Sequence, residues 1–388
     1  MSTFISNTPV RVIAPRKPRL LSPQRIIVAL LSLILLCAIA CGGIGYYFSN
    51  VLLVPAHDIS YNLEATNVST QAVTLPHTQD TEQPGTFGIT WANGAAIVGK
   101  ITDENQDTVT RQVLQTTAPL ASHTMVSWNR EVYLNGLKDT LELHISTVQV
   151  STSLGEMPAW YVPGKLDTWG ILVHGRGDTL ASSLRFMQPL AKLGIPMLAI
   201  SYRNDMNAPA SPDGYYHLGD TEWQDLEAGV KYALAHGAHH LVLYGWSMGG
   251  AIVEAFQHRS QYASNVQALV LDAPLLDWRS TLSFQAASRY LPDVVASTAE
   301  FFATQRAKIN FDALNQLNQP QGKTPILLFH GTNDTTTPVS VSDTFAQAHT
   351  DIVTYNRVNG ADHVQSWNLD PQWYNTQVES YLTRVLHL

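Results

Sequence analysis

The sequence predicts an α/β fold: a mostly parallel sheet flanked by helices, preceded by a small β-rich region and one apolar N-terminal helix. Three observations predict it. From about Leu141 to Leu388, short apolar runs alternate with helical patterns, the rhythm of strands joined by crossover helices. Residues 51–140 are polar, poor in Lys and Arg, and carry strand-like segments. Ile26–Phe48 is a run of 23 residues without a charge.

At about 1.5 Å per residue that run spans roughly 34 Å as a helix, enough to cross a bilayer. Arg11, Arg16, Lys17, Arg19 and Arg25 precede it, and the first charge after it is Asp58. The positive-inside rule then makes residues 1–25 a cytoplasmic basic tail, 26–48 a transmembrane helix, and the remainder extracytoplasmic. Tyr46, Tyr47 and Phe48 fall at the outer interface. A cleaved signal is the alternative, because Ala38-Ile39-Ala40 is followed by Cys41.

In the region 51–140, Gln71–Gly85 reads as a loop, and Phe87–Trp91 and Ala95–Gly99 read as strands around an Asn93-Gly94 turn. In the main domain, 141–388, strands are expected at Leu141–Val150, Met157–Val162, Trp169–Val173, Pro196–Ser201, His240–Tyr244, Val266–Asp272, Pro325–Phe329 and Ile352–Val358. Helices are expected at Leu180–Leu193, Thr221–His236, Met248–Gln257, Val339–Ala348 and Pro371–Leu386. The last has Asp370 as N-cap and Pro371 at its first position. The interval from Asp272 to Pro325 exceeds a plain crossover. It predicts a helical cap over about 278–320, with Phe284, Tyr290, Phe301 and Phe302 available to line a pocket or to pack on the core.

Composition excludes several classes. Charged residues are 14% and the net charge is −8, with no basic block beyond residue 25, which argues against nucleic acid as a partner. Cys37 and Cys41 are the only cysteines, both in the apolar run. The soluble part therefore has no disulfide framework, cysteine nucleophile or cysteine-based metal site.

Gly245-Trp246-Ser247-Met248-Gly249 matches G-x-S-x-G, entered from the strand HLVLY and left by the helical stretch MGGAIVEAFQ. That strand–turn–helix setting is the nucleophile elbow, in which a tight turn exposes the serine at the sheet's C-terminal edge. The Met248 N–H, opening the helix, is then directed at a developing oxyanion. His174-Gly175-Arg176-Gly177 follows a strand and offers the Arg176 N–H as second donor. His330-Gly331-Thr332-Asn333-Asp334 follows another strand, and Asp362-His363 follows the last. Asp334 lies 87 residues beyond Ser247, and His363 a further 29. A histidine base and an orienting carboxylate are what a serine nucleophile needs. Asp272, at another strand end, is the rival acid.

These motifs, GWSMGG, HGRG, LDAPLLDW, HGTND before Pro338, and GADH, resemble the α/β-hydrolase superfamily. Within it, the chain from about Leu141 resembles the branch related to the prolyl-oligopeptidase catalytic domain and to acyl-ester hydrolases. The resemblance implies an α/β-hydrolase fold and a Ser247–Asp334–His363 triad working through an acyl-enzyme, with no cofactor and no metal. No β-propeller repeats stand upstream, which favours ester over peptide substrates. An exported serine peptidase, a non-catalytic binding module and an acyltransferase are the other readings. The partners expected are an acyl substrate (small molecule, lipid or peptide) and the membrane. His174 and His330 read as loop-shaping residues, Asp362 as a loop residue, and His239-His240 carries no metal-ligand pattern.

Overall fold

The computed structural model describes residues 22–56, 60–134 and 136–388. Arg11, Arg16, Lys17, Arg19 and Asp58, on which the expected topology leans, lie outside the described residues. The first element is α1 (Pro23–Leu53), 31 residues long. It begins with Pro at its first position, as proline's fixed φ allows, and runs five residues past Phe48.

Seven antiparallel strands follow: β1 (Leu63–Ala65), β2 (Asn67–Val68), β3 (Ala72–Pro76), β4 (Phe87–Trp91), β5 (Gly94–Glu104), β6 (Thr108–Thr116) and β7 (Thr124–Asn129). They form one sheet in the order β1-β7-β4-β5-β6-β3-β2. The expected loop at Gln71–Gly85 is corrected at its start, where Ala72–Pro76 is a strand paired with β6. The rest of that segment is fixed by Arg111, whose guanidinium donates to the carbonyls of Thr81, Gln83, Gly85 and Gly99. One face of this sheet has its own core around Phe87, Ile89, Val98 and Val126. Ala95 and Ile97 of β5 instead join a core of the main domain.

The second sheet contains β8 (Ser146–Thr152), β9 (Gly155–Val162), β10 (Thr168–Val173), β11 (Met197–Ile200), β12 (His240–Trp246), β13 (Val266–Asp272), β14 (Ile326–Gly331) and β15 (Val353–Val358). Its order is β15-β14-β13-β12-β10-β11-β9-β8, with β9 antiparallel to both β11 and β8 and the other pairs parallel. The strand expected from Leu141 begins only at Ser146. Leu137–Leu141 is a 3₁₀ turn.

Helices are α2 (Leu184–Lys192), α3 (Trp223–Ala235), α4 (Met248–Arg259), α5 (Trp278–Ala287), α6 (Asp293–Ala307), α7 (Val339–Ala348), α8 (Ser366–Leu369) and α9 (Pro371–Leu386). The central strands β10–β14 are apolar on both faces because both faces are covered. Ile171, Val173 and Leu243 point to the side of α3, α4 and α7, while Leu172, Val242 and Tyr244 point to that of α2 and α9. Helices α5 and α6 form the cap. Its expected aromatic lining is corrected: Phe301 is exposed, Tyr290 is 98% exposed, and Phe302 packs edge-on against Tyr46 of α1.

Candidate active site

Glycine makes the turn after β12 possible. Ser247 has φ 54° and ψ −125°, a conformation costly for a non-glycine residue. A Cβ on Gly245 would stand 2.6 Å from the Gly249 carbonyl oxygen, and one on Gly249 would stand 2.0 Å from that of Val173. Any side chain at either position would open the turn. Ser247 N donates to the Asp272 carbonyl (3.1 Å), which ties the elbow to β13.

Three of the expected residues meet here. His363 Nε2 lies 2.9 Å from Ser247 Oγ, and His363 Nδ1 lies 2.8 Å from Asp334 Oδ2. With Nδ1 donating to the carboxylate, Nε2 is left as the acceptor for the serine proton. Burial works to raise the Asp334 pKa. The His363 charge and hydrogen bonds from His330 and His363 outweigh it and hold the carboxyl far below its usual range. Asp334 is further gripped by the N–H groups of Thr336 and Thr337 on Oδ1 (2.8 and 2.7 Å) and by Thr337 Oγ1 on Oδ2 (2.8 Å).

Asp272, the rival acid, is bonded elsewhere, while His363 Nδ1 takes Asp334. Its Oδ1 accepts from Ser366 Oγ at 3.0 Å, and burial pushes its pKa up to about 6 against the opposing charge of Arg185.

Met248 opens α4, so its N–H has no intrahelical acceptor. The other expected donor, Arg176, is set by the peptide before it. The Gly175 carbonyl accepts from His174 Nδ1 (2.8 Å) and from Tyr202 OH (2.8 Å). The bond is trans, so the Arg176 N–H points the opposite way from that carbonyl. Gly175 is close enough to Ser247 that an added Cβ would come within 3.0 Å of the serine Cβ. His174 is itself fixed by Asp205 (Nε2 to Oδ2, 2.9 Å). Burial opposes its charge, but Asp205 and the Gly175 carbonyl raise its pKa to about 9.

Several supports carried no readable signal. Arg130, just beyond β7, lines the same cavity as Ser247 and pairs with Asp178 (3.0 Å). Asp178 also accepts from Trp246 Nε1 at 3.1 Å. Trp246 is the first variable residue of the G-x-S-x-G motif and Asp178 directly follows HGRG, so both stood beside a motif. Arg130 stood beside none. Buried Arg185 donates to the carbonyl of Val364 (3.1 Å), whose φ of 55° turns the chain just after His363. Asp362 Oδ1 accepts from Thr335 N (2.8 Å) and so fastens the histidine loop to the aspartate loop. His330 reaches Asp334 Oδ2 at 3.1 Å and Ser342 Oγ at 2.7 Å, more than shaping its loop. His239 contacts Asp167 on the surface.

The cavity beside Ser247 measures about 270 Å³. Leu275, Trp278, Leu282, Val295 and Ala299 supply much of its wall, and Phe48, Val51 and Leu52 of α1 complete it.

A family model described as the prolyl oligopeptidase family matches residues 183–379, just over half of the chain. A second, described as a domain of unknown function (DUF8805), matches residues 64–129. A search of curated proteins finds no match. Among solved structures, the esterase Pf2001 of Pyrococcus furiosus is similar in two crystal forms. One is 22% identical with a TM-score of 0.52, covering 65% of this chain and 95% of that one. The other is 21% identical with a TM-score of 0.51, covering 65% and 96%. At such identity the likeness is one of fold. With the serine elbow in place, the chain is a serine hydrolase of the α/β-hydrolase superfamily and belongs to the prolyl oligopeptidase family.

Proposed function

We propose that the chain is a carboxylic ester hydrolase, working through an acyl-enzyme on Ser247. The observation that carries this reading is the unbroken path from Ser247 Oγ through His363 to Asp334, at 2.9 and 2.8 Å. Ser247 Oγ attacks the ester carbonyl carbon while Nε2 of His363 takes its proton. The negative charge that develops on the carbonyl oxygen is met by the N–H groups of Met248 and Arg176. As the intermediate collapses, the imidazolium returns the proton to the leaving alcohol. A water then repeats the sequence on the acyl-enzyme, and Asp334 stabilises the imidazolium both times.

Ester is favoured over amide for two reasons. The residues ahead of the catalytic fold form a single seven-stranded sheet rather than a propeller. The similar Pyrococcus furiosus protein is named an esterase. Peptide cleavage is the second reading, carried by the family match. The apolar helix α1 supports a membrane anchor with the hydrolase outside the cytoplasm, or a signal sequence. Fluorophosphonate should label the full chain and leave Ser247→Ala unlabelled. A panel of p-nitrophenyl esters and peptide anilides then separates the readings. Labelling that persists in Ser247→Ala refutes the nucleophile, and turnover of anilides alone refutes the ester preference.

A further inference from the structure

The cavity beside Ser247 shares a wall with the membrane-type helix. Phe48 is at once the last residue of the expected membrane span and a lining residue of the cavity. The end of α1 is held there firmly. Arg176 Nε donates to the Leu52 carbonyl (2.9 Å), its Nη2 donates to that of Val51, and Tyr216 N donates to that of Leu53 (2.8 Å).

Cap helix α6 runs beside α1 in the same direction. Gly45 faces Thr298, Tyr46 meets Phe302, and Ser49 and Asn50 accept from Arg306 at 2.8 and 3.0 Å. The approach needs glycine, since a Cβ at position 45 would lie 2.5 Å from Thr298 Cγ2. Each step of about four residues along α1 matches one along α6. The start of α6 therefore reaches back at least a full turn beyond Gly45, alongside residues of the uncharged run. There the cap turns apolar groups outward, with Tyr290 98% and Val294 52% exposed, and Phe301, two turns further on, is 57% exposed. Arg289, in the turn before α6, and Asp293, its first residue, stand beside them, which is the mix of aromatic, apolar and charged groups found at headgroup depth.

We propose that the cavity takes the acyl chain of a membrane lipid ester, admitted from the bilayer between α1 and the cap helices α5 and α6. This rests on the ester-hydrolase reading of Ser247. A bilayer that encloses α1 up to the level of the α6 N-terminus brings its headgroups to the cap and to the α1 side of the cavity. An acyl chain then passes from lipid to Leu282, Val295 and Ala299 without crossing water. Each methylene exposed to water on the way would cost roughly a factor of four in equilibrium.

The full chain, reconstituted in dioleoylphosphatidylcholine vesicles, should release oleate, while Ser247→Ala should not. In detergent it should prefer p-nitrophenyl octanoate over the acetate by about a hundredfold or more in kcat/KM. Phe48→Asp, which charges the α1 wall, and Leu282→Trp, which fills the cavity, should each lower both the octanoate-to-acetate ratio and oleate release about tenfold or more. Melting curves identify a variant that fails to fold, and the other then carries the test. Octanoate turnover without oleate release overturns the lipid substrate, as does a preference for acetate in a chain whose Ser247 is labelled by fluorophosphonate. Loss of all ester turnover together with loss of labelling overturns the hydrolase reading beneath it.

Discussion

Replacing Asp334 by Asn tests the site at the point where its geometry is most constrained. Oδ1 of Asp334 accepts from two backbone N–H groups, at 2.8 and 2.7 Å. Oδ2 faces His363 Nδ1 at 2.8 Å. An asparagine must keep its oxygen under the two N–H donors, because turning its NH₂ there would leave both unpaired at a cost of about 1–3 kcal/mol each. The NH₂ is thereby directed at His363 Nδ1, which must accept from it. The ring proton moves to Nε2 and points at Ser247, and the base is lost. The negative charge that steadies the imidazolium is lost as well. Together these should lower kcat about 10⁴-fold with little change in KM, equivalent to about 5 kcal/mol of barrier. Asp272→Asn is the control: its carboxylate bonds Ser366 and not His363, so the loss should be about tenfold or less. Turnover of one p-nitrophenyl ester by folded variants measures both. Asp334→Asn within about tenfold of the parent, or Asp272→Asn costing more, would refute the assignment.

Other expectations follow from buried groups. Glu254 in α4 is fully buried and its pKa is pushed up to about 8 by burial, from 4.5. Below pH 4.5 both states are protonated. Above it the unfolded chain releases the proton and the folded one keeps it, so stability falls by about 1.4 kcal/mol per pH unit up to about pH 8. Glu254→Gln should remove this slope, gaining at most about 3 kcal/mol at pH 7 relative to pH 4.5 in urea unfolding; an unchanged slope contradicts it. Arg111→Met should cost about 3–5 kcal/mol, because it strands the carbonyls that Arg111 holds under the rings of Phe87 and Trp128; a loss below about 1 kcal/mol would make that cluster incidental. Tyr202→Phe removes one donor from the Gly175 carbonyl and should lower kcat about tenfold with KM held, through the Arg176 N–H; a change in KM alone would mean that Tyr202 acts on binding.

What could be read from the chain was what local chemistry dictates. The elbow was legible because two glycines are sterically required around a serine at φ 54°. Helices α7 and α9 begin and end at the expected residues because proline and Asp370 mark their starts. The strand β3 was missed because Ala72–Pro76 is short, ends in proline and lies in a Thr- and Gln-rich stretch. Its pairing with β6 is nonlocal. The cap aromatics were misassigned for a related reason: an aromatic residue in a helix signals burial somewhere but not against what. Phe302 found α1, and Tyr290 found solvent. Arg130 lies over a hundred residues from Ser247 and is placed by the docking of one sheet on another domain's core, which no local pattern records.

The same reasoning changes what α1 means. A hydrophobic run at a terminus reads as an anchor, separable from the enzyme it carries. Here the guanidinium of Arg176 holds the carbonyls at the end of α1, while its backbone N–H belongs to the candidate oxyanion site. Phe48, Val51 and Leu52 close the cavity that the acyl group would occupy. A domain cut at residue 51 loses Phe48 and the helical turns that present those carbonyls, so the Arg176 guanidinium turns to solvent and its loop loses the contacts that fix it. Slack of that kind falls on the loop that must stay rigid for transition-state stabilisation. The helix is therefore a structural part of the active site, and activity measured without it reports on a different pocket.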